Sequence, residues 1–340
     1  MRKIKTGIVG LGGLGKTHAF HIANLIPEAE LTAACSLVDA ELEHARDDLG
    51  VRALYKDYDE MIRNADIEAV VIVSPNRFHA TQIETALRAG KHVFSEKPLG
   101  VSVEECKRVE AVVAAHPEQV FTLGFMRRFD KSVAYARMRI DRGDIGQPYL
   151  VKTTTIDPAA DVQNCIRFAR SNPGMLFVGL GIHDIDLLHW FMGCRATSVY
   201  AAGGAYANPE FAEFHDPEVG CALYTFENGG MGISHVGRAA PHGYHIETEI
   251  VGTEGTIRVS PVPQKNLALL YNREGVVVEC VRNYTERFTD AYLAEMQDFF
   301  RCIVEGRKPE IVVSDGTIAT QMAMATTKAF ETHSVVHIAY

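Results

Sequence analysis

The sequence predicts an α/β fold in two parts: a doubly wound parallel sheet over residues 1–123, then an α+β half, 124–340, built on a large, mostly antiparallel open sheet. Three observations carry this expectation. Short apolar strands alternate with helices as far as residue 123, a glycine-rich turn joins the first strand to the first helix, and beyond Gly124 the pattern changes to strands separated by tight turns.

Residues 4–9 read as a buried strand running into Gly10, followed by a helix over 15–26 that Pro27 closes. A strand over 30–35 precedes a charged helix over 40–49, ended by Gly50. Ala69 to Val73 is a continuous apolar run, the pattern of a parallel strand covered on both faces. Helix 80–89 stops at Gly90, strand 91–94 follows, and helix 103–115 with strand 120–123 completes the series. In the second half, strands are expected over 148–157, 196–202, 220–226, 230–236, 244–251, 255–259, 267–271 and 276–281. Turns such as Glu227-Asn228-Gly229-Gly230 and Arg273-Glu274-Gly275 make hairpins of several of them. Helices are expected over 131–142, 182–192, 292–305 and 315–332.

Composition excludes several classes. The 340 residues are 47% hydrophobic and 23% charged, enough for two buried cores. The formal charge of −9 is spread without a basic stripe, which argues against a nucleic-acid partner. No stretch approaches the roughly 18 consecutive apolar residues of a membrane helix, and the glycine-rich opening does not read as a cleaved leader. Seven cysteines, an odd number with no Cys-x-x-Cys pair, predict neither a disulfide framework nor a zinc site; a reducing cytoplasm fits.

Gly10-Leu11-Gly12-Gly13-Leu14-Gly15 lies between a strand and a helix, the position of the dinucleotide fingerprint of a Rossmann domain. Gly10 permits the tight turn, Gly12 lets backbone approach a pyrophosphate, and Gly15 lets helix and strand pack closely. Gly13 and Leu14 bring helix-terminal amides to the same anion. About 20 residues on, where an acid ordinarily holds the ribose hydroxyls, stands Ser36. No Arg or Lys lies between Ser36 and Glu43 to grip a 2′-phosphate, and Asp39 would oppose one, so NAD is expected over NADP. A plain helix cap is the alternative role for Ser36.

Further motifs follow in order: Ser74-Pro75-Asn76-Arg77-Phe78-His79, Glu96-Lys97-Pro98 at a strand end, Gly124-Phe125-Met126-Arg127-Arg128, Gly181-Ile182-His183-Asp184-Ile185-Asp186, and Glu249 to Gly255. In this order and spacing the chain resembles the Gfo/Idh/MocA oxidoreductase family, named for glucose–fructose oxidoreductase, inositol dehydrogenase and a rhizopine-catabolism protein. Within it the chain looks most like the inositol 2-dehydrogenases, chiefly through residues 124–130. The resemblance implies that Lys97 contacts the nicotinamide ribose and the substrate hydroxyl, that Glu96 sits beside the nicotinamide, and that Ser74, Pro75, Asn76 and His79 belong to the cofactor cleft. It also implies a cis Lys97–Pro98 bond, a substrate contact from Arg127, and another from Tyr244, which could equally be ordinary packing. An ammonium beside a carbon losing hydride stabilises the developing alkoxide, which is the chemistry Lys97 would supply.

His183 suits a general base, its ordinary pKa lying near 6.5. Relatives carry an aspartate four residues before it; here that position is Gly179. Another carboxylate is expected to substitute, Asp186 first and Asp157 or Asp161 next. Alternatively the glycine makes room for a different substrate, or activity is reduced. His18 and His21 read as solvated helix-surface residues with no metal, and Arg128 as a surface or domain-boundary residue. The leading expectation is an NAD-dependent dehydrogenase of a cyclic polyol or sugar, assembled as a homo-tetramer or homo-dimer. A non-catalytic dinucleotide sensor and NAD-assisted glycoside cleavage are the rivals.

Overall fold

The computed structural model describes residues 2–171 and 175–340. They form two compact units, Met1–Phe129 with Asp290–Thr320, and Asp130–Thr289 with Gln321–Tyr340.

The first unit runs β1 (Ile4–Val9), α1 (Gly13–Asn24), β2 (Ala29–Cys35), α2 (Asp39–Asp47), β3 (Ala53–Tyr55), α3 (Tyr58–Asn64), β4 (Ala69–Ile72), α4 (His79–Arg88), β5 (His92–Glu96), α5 (Val103–Ala115) and β6 (Phe121–Gly124). Its six strands lie in the order β3-β2-β1-β4-β5-β6, every neighbouring pair parallel. The order reverses between β1 and β4, and in such sheets ligands bind at the carboxyl ends beside that switch. All of β4 is buried, as the run Ala69 to Ile72 requires. The short elements β3 and α3 were not expected; three and seven residues give too little periodicity to read. Asp57 fixes the start of α3 by accepting the Glu60 backbone N–H.

The second unit and the returning helices run α6 (Lys131–Asp141), β7 (Pro148–Pro158), α7 (Val162–Ser171), α8 (Ile182–Met192), β8 (Ala196–Gly204), β9 (Val219–Phe226), β10 (Met231–Ala240), β11 (His245–Gly252), β12 (Thr256–Val259), β13 (Gln264–Asn272), β14 (Gly275–Cys280), α9 (Tyr284–Glu305), α10 (Val313–Thr332) and β15 (Val336–His337). Seven strands form a sheet ordered β12-β11-β7-β10-β9-β8-β15. β7 pairs with β10 in parallel; the other neighbouring pairs are antiparallel, as expected of this half. The expected strands 267–271 and 276–281 do not join it. They pair with each other as the separate hairpin β13–β14, whose side chains lie largely in solvent. Helix α8 is apolar around most of its circumference and correspondingly buried, and Gly193 in the left-handed region ends it.

A single boundary after residue 123 was expected, with 124–340 as one domain. In the structure the chain returns to the first unit within α9, shortly after a kink at Phe288. The reason is apolar packing: Met296, Phe299 and Phe300 belong to the same core as Ile8, Leu11 and Phe94.

Candidate active site

The glycine loop has the geometry its sequence foretells. Gly10 has φ +86°, and a Cβ there would sit 2.4 Å from the Val73 carbonyl oxygen. A Cβ on Gly15 would lie 2.0 Å from the Gly10 oxygen, so helix α1 can approach the loop only without a side chain. Gly12 and Gly13 face open space. The first turn of α1 has no acidic residue and no capping side chain, leaving its amides to an anion from outside. The loop therefore fits the diphosphate of a dinucleotide.

Ser36, at the end of β2, donates its hydroxyl to Glu41 Oε2 at 2.5 Å and accepts the Val38 backbone N–H at 3.0 Å. A carboxylate from α2 therefore lies beside the hydroxyl at position 36. The nearby cation Lys56 is engaged by Asp39 at 2.5 Å and by the Leu37 carbonyl at 3.0 Å.

After β4, the buried Ser74 donates to Gln82, while Pro75 is exposed and Asn76 half-buried. His79 bridges two backbone stretches, with Nε2 2.7 Å from the Ser74 carbonyl and Nδ1 2.8 Å from the Pro98 carbonyl. Burial lowers its pKa while the two carbonyls pull it up. With the ring neutral, only one of those contacts carries a proton at a time. His79 thus lies between the Ser74 and Pro98 carbonyls, donating to one of them at a time and tying the segment behind Lys97 to α4. Lys97 itself is half-buried, and its bond to Pro98 is cis.

Glu96 is buried. Its Oε1 lies 2.9 Å from His18 Nε2, and its Oε2 accepts the Lys97 backbone N–H at 3.3 Å. From β6 it is approached by Gly124, where any Cβ would meet the carboxyl at about 3.0 Å. His18 and His21 are both buried, against the expectation of solvated residues. Their face of α1 turns inward, and His18 stacks edge-on with Phe94 and Tyr292. Arg128 is likewise buried, its guanidinium 3.3 Å from Asp315, where sequence placed it at a surface or boundary. Arg127 is among the largest fully buried side chains.

In the second unit, His183 and Asp186 are three residues apart on α8, hence on neighbouring faces of one turn, and both are buried. Asp184 between them accepts a hydrogen bond from Thr155 of β7 at 2.9 Å. Gly179 lies in a π-helical turn, Leu176–Leu180, that leads into α8. This turn is anchored by Asp216: Oδ1 accepts the Leu176 N–H at 2.9 Å, and Oδ2 meets Arg238 Nη2 at 2.9 Å. Burial raises the Asp216 carboxyl above its ordinary value against the pull of Arg238, so the pair positions more than it stabilises. Asp157 is half-buried at the end of β7, close enough to Cys165 to help raise its thiol to about 11, burial being the larger cause. Tyr244 is buried just before β11, with its ring edge-on to Phe288 at 6.4 Å.

Comparison with known proteins agrees with this layout. Residues 4–125 match the oxidoreductase family with an NAD-binding Rossmann fold, and residues 133–258 match the GFO/IDH/MocA C-terminal domain. A curated relative, scyllo-inositol 2-dehydrogenase (NAD(+)) of Bacillus subtilis (strain 168), is 31% identical over 96% of this chain and 94% of its own. The chain belongs to the Gfo/Idh/MocA oxidoreductase family. Among solved members, scyllo-inositol dehydrogenase from Lactobacillus casei with bound NAD(H) and scyllo-inositol is 46% identical, with TM-score 0.98 over all of both chains. Myo-inositol 2-dehydrogenase from Lactobacillus plantarum is 36% identical, with TM-score 0.96 over 99% of this chain and 100% of its own.

Several features of this family member escaped sequence reasoning. Glu41 lies five residues past Ser36, where a search for one acid at a fixed spacing does not look. Asp216 and Arg238 are far in sequence from the turn they hold, and Glu295, discussed below, sits in a helix that reads simply as amphipathic.

Proposed function

We propose that this protein is an NAD-dependent dehydrogenase acting on a secondary hydroxyl of a cyclic polyol or sugar of the inositol class. The observation that carries the reading is the ordered pairing of an open glycine loop at the start of α1 with Glu96-Lys97-Pro98 at the end of β5. Relatives acting on inositols, one with NAD(H) and scyllo-inositol bound, supply the substrate class. NAD, when bound, accepts hydride from the carbinol carbon. The amides of Gly13 and Leu14 hold its diphosphate, and Ser36 with Glu41 takes the ribose hydroxyls. The Glu41 carboxylate repels a 2′-phosphate, and Lys56 is already neutralised by Asp39.

Lys97 polarises the reacting oxygen and stabilises the alkoxide that develops. His183 takes the hydroxyl proton, and Asp186, on the same turn of α8, serves in place of the carboxylate that Gly179 lacks. Arg127, Asp157 and Tyr244 are assigned to substrate hydroxyls. Asn76 lines the cofactor cleft, with Ser74 and Pro75 shaping its loop. All seven cysteines are free thiols, which suits a reducing cytoplasm, and no helix of the described residues is long and apolar enough to cross a membrane. Exposed Leu267, Leu270, Tyr271 and Val276 on the β13–β14 hairpin favour a homo-dimer or homo-tetramer, which light scattering measures.

The test is NADH formation on a panel of inositols and hexoses. Lys97→Ala is expected to lower kcat/KM by roughly 10²–10⁴ while NADH still binds. Unchanged turnover in the variant overturns the assignment, and wild-type inactivity across the panel favours a sensor.

A further inference from the structure

Behind Glu96 lies a group that the proposed reaction does not use. Glu295 of α9 is 1% exposed, and among the described residues neither carboxyl oxygen has a hydrogen-bond partner. One of those oxygens, a ring nitrogen of His18 and a carboxyl oxygen of Glu96 all lie within 4.8 Å of one another. Three ionisable side chains from α1, β5 and α9 therefore share one buried pocket, and a carboxylate there without a partner would be costly unless it carried a proton.

We propose that Glu295 is a positioning residue for Glu96: it remains a neutral carboxylic acid in the folded protein and directs its hydroxyl at the Glu96–His18 pair. Glu96 already has a partner on each oxygen, His18 Nε2 at Oε1 and the Lys97 backbone N–H at Oε2. Glu295, with no donor to meet among the described residues, retains a proton and turns its O–H toward the neighbouring Glu96 carboxyl. The surroundings favour this state. Burial first and the Glu96 carboxylate second push Glu295 well above the usual carboxyl range. His21, the other imidazole on this face of α1, is driven down to about 4 by burial and by His18, so it offers no compensating charge near neutrality. His79, at the start of α4, feels both Glu96 and Lys97 but is held neutral by burial.

The consequence is a link between one proton in the core and the carboxyl expected beside the nicotinamide; this rests on the placement of Glu96 in the proposed function. Ionising Glu295 sets two carboxylates against each other and strains the contacts that hold Glu96 to His18 and to the Lys97 backbone. NADH affinity then weakens with rising pH, by up to about tenfold per unit once Glu295 loses its proton.

The experiment uses the full-length protein, Glu295→Gln and Glu295→Leu. Infrared spectroscopy in D₂O is expected to show the carbonyl stretch of a buried protonated carboxyl in the wild type and not in Glu295→Gln. NADH fluorescence titrations from pH 6 to 10 are expected to show the alkaline loss in the wild type. The amide of Glu295→Gln still donates, so its affinity should vary by less than about twofold over that range. Glu295→Leu, which can neither donate nor ionise, is expected to bind NADH about tenfold more weakly than the wild type at pH 6 and to show no alkaline loss, while remaining folded by circular dichroism, the loss of one hydrogen bond to a charged group. The proposal is overturned if the infrared band persists in Glu295→Gln, if that variant keeps the wild-type alkaline limb, or if the purified protein holds one equivalent of a divalent metal that Glu295→Gln loses. Because the infrared band does not depend on turnover, a protein that shows it yet oxidises no polyol refutes the proposed function and leaves this assignment standing.

Discussion

Replacing Asp216 with alanine tests how the turn ahead of the histidine helix is held. Asp216 and Arg238 are each under 5% exposed, and Asp216 also takes the Leu176 N–H. The substitution leaves a guanidinium without its partner in a dry site, which costs about 3–5 kcal/mol. It also strands the backbone N–H of Leu176 and removes the backbone hydrogen bond from Met175, typically about 1–3 kcal/mol with part of that shared. A loss of about 4 kcal/mol removes much of a domain's usual margin of roughly 5–15 kcal/mol. The assay is urea unfolding followed by Trp190, the chain's one tryptophan, which lies on α8 and so reports this unit. A second arm separates charge from packing: Arg238→Met added to Asp216→Ala abolishes the stranded charge and should recover at least about 1 kcal/mol. Polyol turnover should fall in the single variant while NADH binding holds, since the glycine loop belongs to the other unit. A single variant within about 0.5 kcal/mol of wild type, or a double variant no better than the single, refutes the reasoning.

Gly15→Ala places a carbon 2.0 Å from the Gly10 oxygen; NADH titration should show at least a tenfold loss of affinity and unfolding a cost of about 1–3 kcal/mol. The Cβ of Gly179→Asp meets the flexible end of Met175 at 3.1 Å and the Met175 Cβ at an ordinary 3.5 Å, so stability should change by less than about 1 kcal/mol. The added carboxylate lies one turn before His183 and favours imidazolium, so the acidic limb of the kcat/KM profile should move up by about one pH unit. His21 has a folded pKa lowered to about 4, chiefly by burial. It is neutral in the fold but takes a proton near pH 6.5 when unfolded, so its contribution is complete above about 6.5 and is lost as pH falls toward 4. Urea midpoints by circular dichroism should show less acid loss in His21→Gln than in the wild type.

Much of the architecture is legible because it is written at the right length scale. Helices 103–115 and 182–192 coincide with α5 and α8, each having a cap or a left-handed glycine as punctuation: Ser102 ahead of the first, Gly193 behind the second. The glycine loop was readable for the same reason, since each glycine answers a local steric demand. What escaped was non-local. His18 and His21 have the spacing of a solvated face, and only the aromatic wall of Phe94 and Tyr292 makes that face an interior one. Arg128 is indistinguishable in sequence from a surface arginine until Asp315, 187 residues away, comes to meet it. The β13–β14 hairpin has strand composition, but nothing local says that it will pair with itself instead of the main sheet.

The return of Met296, Phe299 and Phe300 to the core around Ile8 and Phe94 has a consequence for biosynthesis. A ribosome completes β1 to β6 early, yet the apolar floor beneath them is the last part of that layer to emerge. Until residue 300 has cleared the exit tunnel, the nascent nucleotide-binding sheet exposes the surface those three side chains will cover. Its final consolidation is therefore deferred until nearly the whole chain has been translated.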